Sequence, residues 1–304
     1  MKDILIIGGG PAGLTAAIYA ARAGKSVTVC EKEALGGQIT QAHEVHNYPG
    51  IPAISGMELG DRLCSHAMDC GAEVEFTAVT ALTRHEDGSF TAETEDDPID
   101  ARAVIFAGGA KPRALAIPRE EELVGRGVSY CALCDGGFFR DQDVAVVGSG
   151  NTAIGDALYL SAICRSVTVI HRRDAFRAED AVLQSAKETS NIRFVTSATV
   201  EALHGADALE ALTLRHSDGS TSQLDVTGLF VAMGRVPDLS LLADLTGWAE
   251  DAYAAAGEDC LTAVPGLFVA GDCRSKEIRQ LTTAVADGTV AATAACHYLD
   301  KLSK

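Results

Sequence analysis

Two cysteines three positions apart, in Cys131-Ala132-Leu133-Cys134-Asp135, are the most chemically pointed feature of the chain. In a reducing compartment such a pair is half of a zinc site, a redox dithiol or a chance spacing. A structural zinc site takes four ligands, and no second C-x-x-C or C-x-x-H accompanies this one. No metal is expected, and disulfide chemistry remains. That chemistry needs a thiolate of lowered pKa and an acid to protonate a leaving thiolate. Asp135 is the available acid, although an aspartate before a glycine pair is also an ordinary turn residue. Gly136-Gly137 would leave room for a flat ring or another protein to approach. The other seven of the nine cysteines follow no secreted-framework rhythm, so most are expected to be buried reduced thiols.

A second constellation lies at the amino terminus. Ile4-Leu5-Ile6-Ile7 reads as a strand buried on both faces, Gly8-Gly9-Gly10-Pro11-Ala12-Gly13 follows at once, and Leu14 to Ala23 reads as a helix. In that setting G-x-G-x-x-G binds a dinucleotide. Gly8 permits the tight turn, Gly10 lets the backbone approach a pyrophosphate, and Gly13 lets helix and strand pack closely. Glu31, 23 residues after Gly8 at the tip of strand Ser26 to Cys30, would accept from ribose hydroxyls.

The pattern recurs at Gly148-Ser149-Gly150-Asn151-Thr152-Ala153, again between an apolar run and a helix, with strand Ser166 to Ile170 beyond. Here the ribose position holds no acid but His171, followed by Arg172, Arg173 and Arg177. Guanidinium groups grip a phosphate bidentately, whereas an acid would repel the 2'-phosphate. The coenzyme expected at this second site is NADPH rather than NADH. Two such sites, one with further elements far downstream, point to a larger cofactor at the first, and FAD fits. Gly36-Gly37-Gln38 and Asn47-Tyr48-Pro49-Gly50 would lie on the flavin side. Gly271-Asp272 would bring a carboxylate to a strand end, or would simply cap a helix. Arg279-Gln280-Leu281-Thr282 precede a last helix, expected from about Thr283 to Leu299, whose positive end would face a reduced flavin.

At 304 residues the chain suits two domains rather than one core. Residues 73 to 100 alternate polar and apolar types around turns and are expected to form a small β-meander, closed by strand Ala103 to Ala107 and Gly108-Gly109. Crossings between domains are expected near Lys111 to Pro118 and Gly234 to Asp238. The first domain would comprise residues 1–112 and 241–304, and the second, residues 113–240, would be inserted in it. The apolar start resembles a strand rather than a signal peptide, and no run is long enough to span a bilayer, so a cytoplasmic enzyme is expected. A formal net charge of -17 argues against nucleic acid or membrane partners and leaves a protein with a basic docking face compatible.

These motifs, in this order, are those of a known family. The chain resembles the low-molecular-weight, bacterial-type NADPH-dependent thioredoxin reductases from Gly8 to Leu299. The resemblance is carried by the first glycine motif, Gly36-Gly37-Gln38, Asn47-Tyr48-Pro49-Gly50, the stretch Gly125 to Gly136 around the cysteines, His171 to Ala178, and Gly271-Asp272 with Arg279-Gln280. It implies an α/β fold of two Rossmann-like dinucleotide-binding domains, each a three-layer ββα arrangement, in a homodimer. It implies FAD on Gly8, Gly10, Pro11, Ala12, Gly13, Glu31, Gly36, Gly37, Gln38, Asn47, Gly108, Gly271, Asp272, Arg279, Gln280 and Leu281. NADPH would lie on Gly148, Gly150, Asn151, Thr152, His171, Arg172, Arg173 and Arg177. Electrons would pass from NADPH through flavin to the Cys131–Cys134 disulfide, Cys134 being nearer the ring. Cys131 would attack thioredoxin, Cys134 would resolve the mixed disulfide, and Asp135 would serve as acid and base. Because nicotinamide and disulfide both need the flavin, the domains are expected to rotate about the two crossings.

The sequence departs from the family at Gly155-Asp156, where two glutamates are common, and at His46, Leu133 and Ile278. A flavin dithiol enzyme driven by ferredoxin or oxygen, a peroxiredoxin reductase and a flavin-bound redox sensor without turnover are the rival readings. The arginines from 172 to 177 oppose the first, and the start of the glycine motif at Gly8 opposes the second.

Overall fold

In a computed structural model, which describes residues 1–42, 44–247, 249 and 252–302, the chain divides into two compact units. One joins Met1–Lys111 to Val236–Lys304, and the other is Pro112–Arg235.

The first unit is built on five parallel strands in the spatial order Glu73–Glu75, Val27–Cys30, Lys2–Ile7, Ile99–Phe106, Leu267–Val269. The strand Lys2–Ile7 ends in four consecutive buried residues, as expected of a strand covered on both faces. Helices Pro11–Arg22 and Leu281–Leu302 cover one face, closing a core of Ile4, Ile6, Leu14, Ile105 and Ala291. Both helices begin earlier than the apolar pattern suggests. Pro11 sits in the first turn, where its fixed φ favours the helix and its missing N–H has no partner to lose. The opposite face packs on an antiparallel meander, Val79–Arg84, Phe90–Thr94 and the start of Ile99–Phe106, through Leu5, Val104, Phe106 and Phe90.

The meander is shorter than the alternation from residue 73 suggests. Glu73–Glu75 pairs in parallel with Val27–Cys30 instead, as a charged edge of the main sheet. A period of two marks a half-exposed strand without naming its partner, and outward glutamates suit an edge. Ile99–Phe106 also serves two sheets at once: Ile99 to Ala101 pairs antiparallel with the meander, and Ala101 to Phe106 pairs parallel with Lys2–Ile7.

The second unit repeats the plan. Its five parallel strands run in the order Ile192–Val195, Ser166–Ile170, Asp143–Val147, Gly228–Val231, Val128–Ser129. Helices Asn151–Ser161 and Asp180–Glu188 lie on one face with Val146, Ile154, Leu160 and Phe230. A second meander, Ala198–His204, Ala211–His216 and Thr221–Asp225, lies on the other with Ala145, Leu212, Leu214 and Leu229. Each unit is therefore three layers: helices, parallel sheet, meander. Each large apolar side chain sealed between layers contributes roughly 1.5–3 kcal/mol. Among the described residues, no helix is long and apolar enough to cross a membrane.

Two helix-interior glycines separate packing from propensity. A Cβ on Gly288 would lie 2.2 Å from the Ala12 carbonyl oxygen, so the last helix touches the first through bare backbone, whereas a Cβ on Gly155 would meet nothing within 4 Å. Gly155→Ala is expected to raise the urea midpoint, by about 0.5–1 kcal/mol of helix propensity. Gly288→Ala should lower it despite the same gain. Equal shifts for the two variants would remove the contact argument.

Candidate active site and nucleotide cradles

In the first unit the glycine turn is shaped by what lies behind it. A Cβ on Gly8 would lie 2.4 Å from the Ala107 oxygen, and one on Gly13 only 1.9 Å from the Gly8 oxygen. At Gly10 the nearest neighbour is Gly37 Cα at 4.0 Å, so this is the side left open for a pyrophosphate. The turn is braced twice. Glu31, buried, accepts from the Gly9 N–H at 2.7 Å and from the Glu33 N–H at 2.7 Å, so its carboxylate shapes the loop. Gly36 N–H donates to the Gly9 oxygen, and Gln38 Nε2 donates to the Ala110 oxygen two residues beyond Gly108.

Distant parts of the chain converge on this end of the sheet. Asn47 Nδ2 donates to Gln280 Oε1 at 3.4 Å, Arg279 Nε donates to the Asp272 carbonyl, and Leu281 opens the long helix. The Arg279 guanidinium also lies 3.7 Å over the Tyr253 ring. Asp272 Oδ1 is buried with no hydrogen-bond partner, although Lys276 Nζ stands 3.6 Å away. A buried acceptor left open at a strand end fits a hydroxyl-rich ligand such as the ribityl chain of FAD.

One component escaped the motif reading. Asp287, on the last helix, is buried and accepts from Gly271 N–H at 3.0 Å, Arg274 Nε and Nη2 at 2.9 Å each, and Lys276 Nζ at 3.0 Å. Arg274 is itself buried and reaches Glu258. Burial acts to raise the Asp287 carboxyl, but the hydrogen bonds from Arg274 and Lys276 hold it below its ordinary value. The network thus pins the Gly271-Asp272 turn to the helix. Its only trace in the sequence is a set of charges in an otherwise apolar segment.

In the second unit Gly150 opens the helix Asn151–Ser161, and a Cβ there would meet nothing, whereas one on Gly148 would lie 2.4 Å from the Ala232 oxygen. The basic segment folds back onto this turn: the Ser149 carbonyl accepts from the N–H groups of Arg177 and Ala178 at 2.8 and 2.9 Å. Asn151 exchanges two hydrogen bonds with Glu179, which holds it beside Thr152 at the helix start. The His171 ring packs on Phe176, 5.3 Å between centroids, and burial together with the neighbouring arginines lowers its pKa. Positive charge is therefore left to Arg172, Arg173 and Arg177, all exposed, none in an ion pair among the described residues.

Cys131 and Cys134 are joined by a disulfide, with Cα atoms 5.3 Å apart. Cys131 caps the short helix Ala132–Asp135, and the Cys134 N–H points at Cys131 Sγ at 3.2 Å. That donor would stabilise a thiolate on Cys131 after reduction. Asp135 is half-buried, and burial raises its carboxyl above the ordinary value against a hydrogen bond from Ser129. Gly136 is not the open position the sequence suggests: a Cβ there would lie 3.0 Å from Leu160 and 3.1 Å from Tyr159, because the turn is seated on the helix Asn151–Ser161. Gly137 is open, and Leu133 and Phe138 beside it are exposed. On the same helix, burial pushes the half-exposed Asp156 up to about 7.

The remaining cysteines are free thiols, all buried except the half-buried Cys70. Burial pushes Cys30, Cys260 and Cys273 up to about 12 and Cys164 up to about 11, which leaves them inert at neutral pH. Among the described residues no three His, Cys, Asp or Glu side chains are grouped as metal ligands.

Replacing Asp287 by alanine would strand two buried cations, a change of the kind that costs about 3–5 kcal/mol. The Asp287→Ala variant is expected to lose bound FAD and to unfold at markedly lower urea. Since the folded carboxyl titrates below its unfolded value, the stabilisation is present above about pH 4 and is lost as pH falls through the folded value. An unchanged FAD content would show that the turn holds itself.

Residues 2–288 match the pyridine nucleotide-disulphide oxidoreductase family. The chain is 38% identical to the thioredoxin reductase of Listeria monocytogenes, over 99% of its own length and 95% of the relative's. It is 42% identical to a bifunctional thioredoxin reductase/thioredoxin of Mycobacterium leprae, over 98% of its length and 66% of that longer protein. Among solved structures it is similar to the thioredoxin reductase of Streptococcus pyogenes, with a TM-score of 0.94, 38% identity and 99% of each chain covered. With two glycine cradles, a disulfide across a C-x-x-C pair beside a carboxyl, and likeness over nearly its whole length, the chain belongs to the pyridine nucleotide-disulphide oxidoreductases, within their bacterial-type thioredoxin reductase branch, which uses FAD and NADPH.

Proposed function

We propose that the first unit holds FAD, the second holds NADPH, and the Cys131–Cys134 pair delivers electrons to a thioredoxin. The observation that carries the reading is the disulfide itself, adjoining a half-buried acid in the unit whose glycine turn is backed by arginines that form no ion pair among the described residues. When bound, the flavin supplies the two-electron relay between nicotinamide and disulfide. The protein's part begins with the reduced pair. Cys131, favoured as thiolate by the Cys134 N–H, attacks the partner's disulfide, and the partner's second sulfur leaves. Cys134 then attacks the mixed disulfide at Cys131 Sγ, releasing reduced thioredoxin and restoring the original bond. Asp135, raised by burial, gives its proton to the departing thiolate and recovers one from the next thiol to ionise.

The fusion of reductase to thioredoxin in the Mycobacterium leprae relative supports the choice of partner. We place the enzyme in the cytoplasm, in keeping with a chain whose other cysteines are free thiols, and, as the family resemblance implies, as a homodimer. Arg172, Arg173 and Arg177 select NADPH by gripping its 2'-phosphate, and the helix beginning at Leu281 offers its positive end to the flavin.

Anaerobic addition of one NADPH equivalent to FAD-loaded enzyme is expected to bleach the yellow colour transiently and to expose two new fast-labelling thiols. NADH should do so far less effectively, and Arg172→Ala with Arg173→Ala should raise the KM for NADPH roughly tenfold or more while sparing that for NADH. Enzyme whose sulfurs stay oxidised, or which prefers NADH, would refute the assignment.

Nicotinamide and disulfide are both carried by the second unit and both need one flavin, so turnover requires rotation about the crossings near residues 111–118 and 234–238. Beside the crossings, the Arg113 N–H donates to the Gly234 carbonyl at 2.9 Å, which ties the two passing segments of the second unit to each other. A crosslink spanning the crossings is expected to abolish turnover reversibly. Full activity in the crosslinked enzyme would dismiss the rotation.

A further inference from the structure

We propose that Ser129 is a positioning residue that holds the Asp135 carboxyl in place beside the dithiol in both of its protonation states. The proposal rests on the assignment of Asp135 as the acid and goes one residue beyond it. Ser129 is buried at the end of the short strand Val128–Ser129, in register with Phe230 of the neighbouring strand, so its backbone is fixed by the sheet.

Its hydroxyl has three polar neighbours. Asp135 Oδ2 lies at 2.6 Å, the Cys131 N–H donates to Oγ at 3.0 Å, and the Cys131 carbonyl lies at 3.3 Å. A hydroxyl has one proton to give and two lone pairs to offer. With Asp135 ionised, the serine proton goes to Oδ2, a short charge-assisted bond, and the Cys131 N–H fills one lone pair. With Asp135 protonated, the acid becomes the donor along the same 2.6 Å line, and the serine proton turns to the Cys131 carbonyl. Each of these groups keeps a partner in both states and no heavy atom has to move. The serine proton never leaves its oxygen. The proton that Asp135 gives up goes to the leaving thiolate, and Ser129 only rotates its O–H.

The two states are not equal. The Cys131 carbonyl already accepts from the N–H groups of Cys134 and Asp135, at 3.2 and 3.1 Å, so it is the weaker acceptor for the serine. Ser129 therefore favours the ionised carboxylate and counteracts burial. Removing it should push the acid's titration upward and release the carboxyl from its orientation.

The test measures thioredoxin reduction by prereduced enzyme across pH, and flavin reduction by NADPH in parallel, for Ser129→Ala and Ser129→Thr, each with and without Asp135→Asn. Ser129→Ala is expected to slow the dithiol step roughly tenfold, the scale of a lost hydrogen bond to a charged group, and to move the high-pH limb, where Asp135 loses its proton, to higher pH. Flavin reduction should stay within about twofold, threonine should restore the rate, and in the Asp135→Asn background the alanine should cost less than about twofold. Equal losses in both backgrounds, or an unmoved pH limb, would overturn the proposal. If Asp135→Asn alone turned over normally, the acid assignment itself would fall, a different result. Should the alanine variant lose its FAD or unfold, Ser129→Thr against Ser129→Val gives the same comparison between side chains of one shape, and equal pH profiles for that pair would again overturn it.

Discussion

The close approach of main chain to main chain at the strand ends is the constraint on which the rest of the molecule depends. Where Gly13 would carry a Cβ, the Gly8 carbonyl oxygen stands 1.9 Å away, and where Gly148 would carry one, the Ala232 oxygen stands at 2.4 Å. Side chains at these points would lift each helix off its sheet. Their absence lets strand, turn and helix form one rigid corner whose outer side, at Gly10 and Gly150, is open to a phosphate. The last helix extends the same device, resting on Ala12 through Gly288, so an element from the end of the chain is docked against the corner from its beginning.

On that frame, charge is managed differently at each site. Asp287 is buried among Arg274 and Lys276 and is kept ionised, which makes it a structural anchor for the Gly271-Asp272 turn. Asp135 is half-buried and, among the described residues, a serine hydroxyl answers its charge; burial prevails and raises its carboxyl above the ordinary value. Two aspartates of one chemistry thus take opposite roles because their partners differ. The thiols divide in the same way. Burial silences Cys30, Cys260 and Cys273, while Cys131 has a backbone donor directed at its sulfur.

Much of the fold was legible because its signals are local. Apolar runs before each glycine motif mark strands buried on both faces, and the two copies differ visibly at the position 23 residues on, Glu31 in one and His171 with following arginines in the other. The strand Glu73–Glu75 was misread for a complementary reason: alternation reports that a strand is half-exposed, but its partner, Val27–Cys30, lies over forty residues away. Gly136 looked free in sequence and proved to be packed on Tyr159 and Leu160, contacts that exist only after the helix Asn151–Ser161 returns beneath it.

What the sequence determined by itself is the inventory of reactive groups and the turns that carry them, because residue type and spacing set both the chemistry and the backbone freedom within one strand-turn-helix unit. What only the tertiary structure decided is which of those groups are paired. The Asp287 network, the Asp272 oxygen left open, the Ser129 hydroxyl on Asp135 and the silence of the buried thiols all depend on neighbours or on burial. Desolvation and hydrogen bonding act over a few ångströms of space, and the chain brings residues within that distance only by folding.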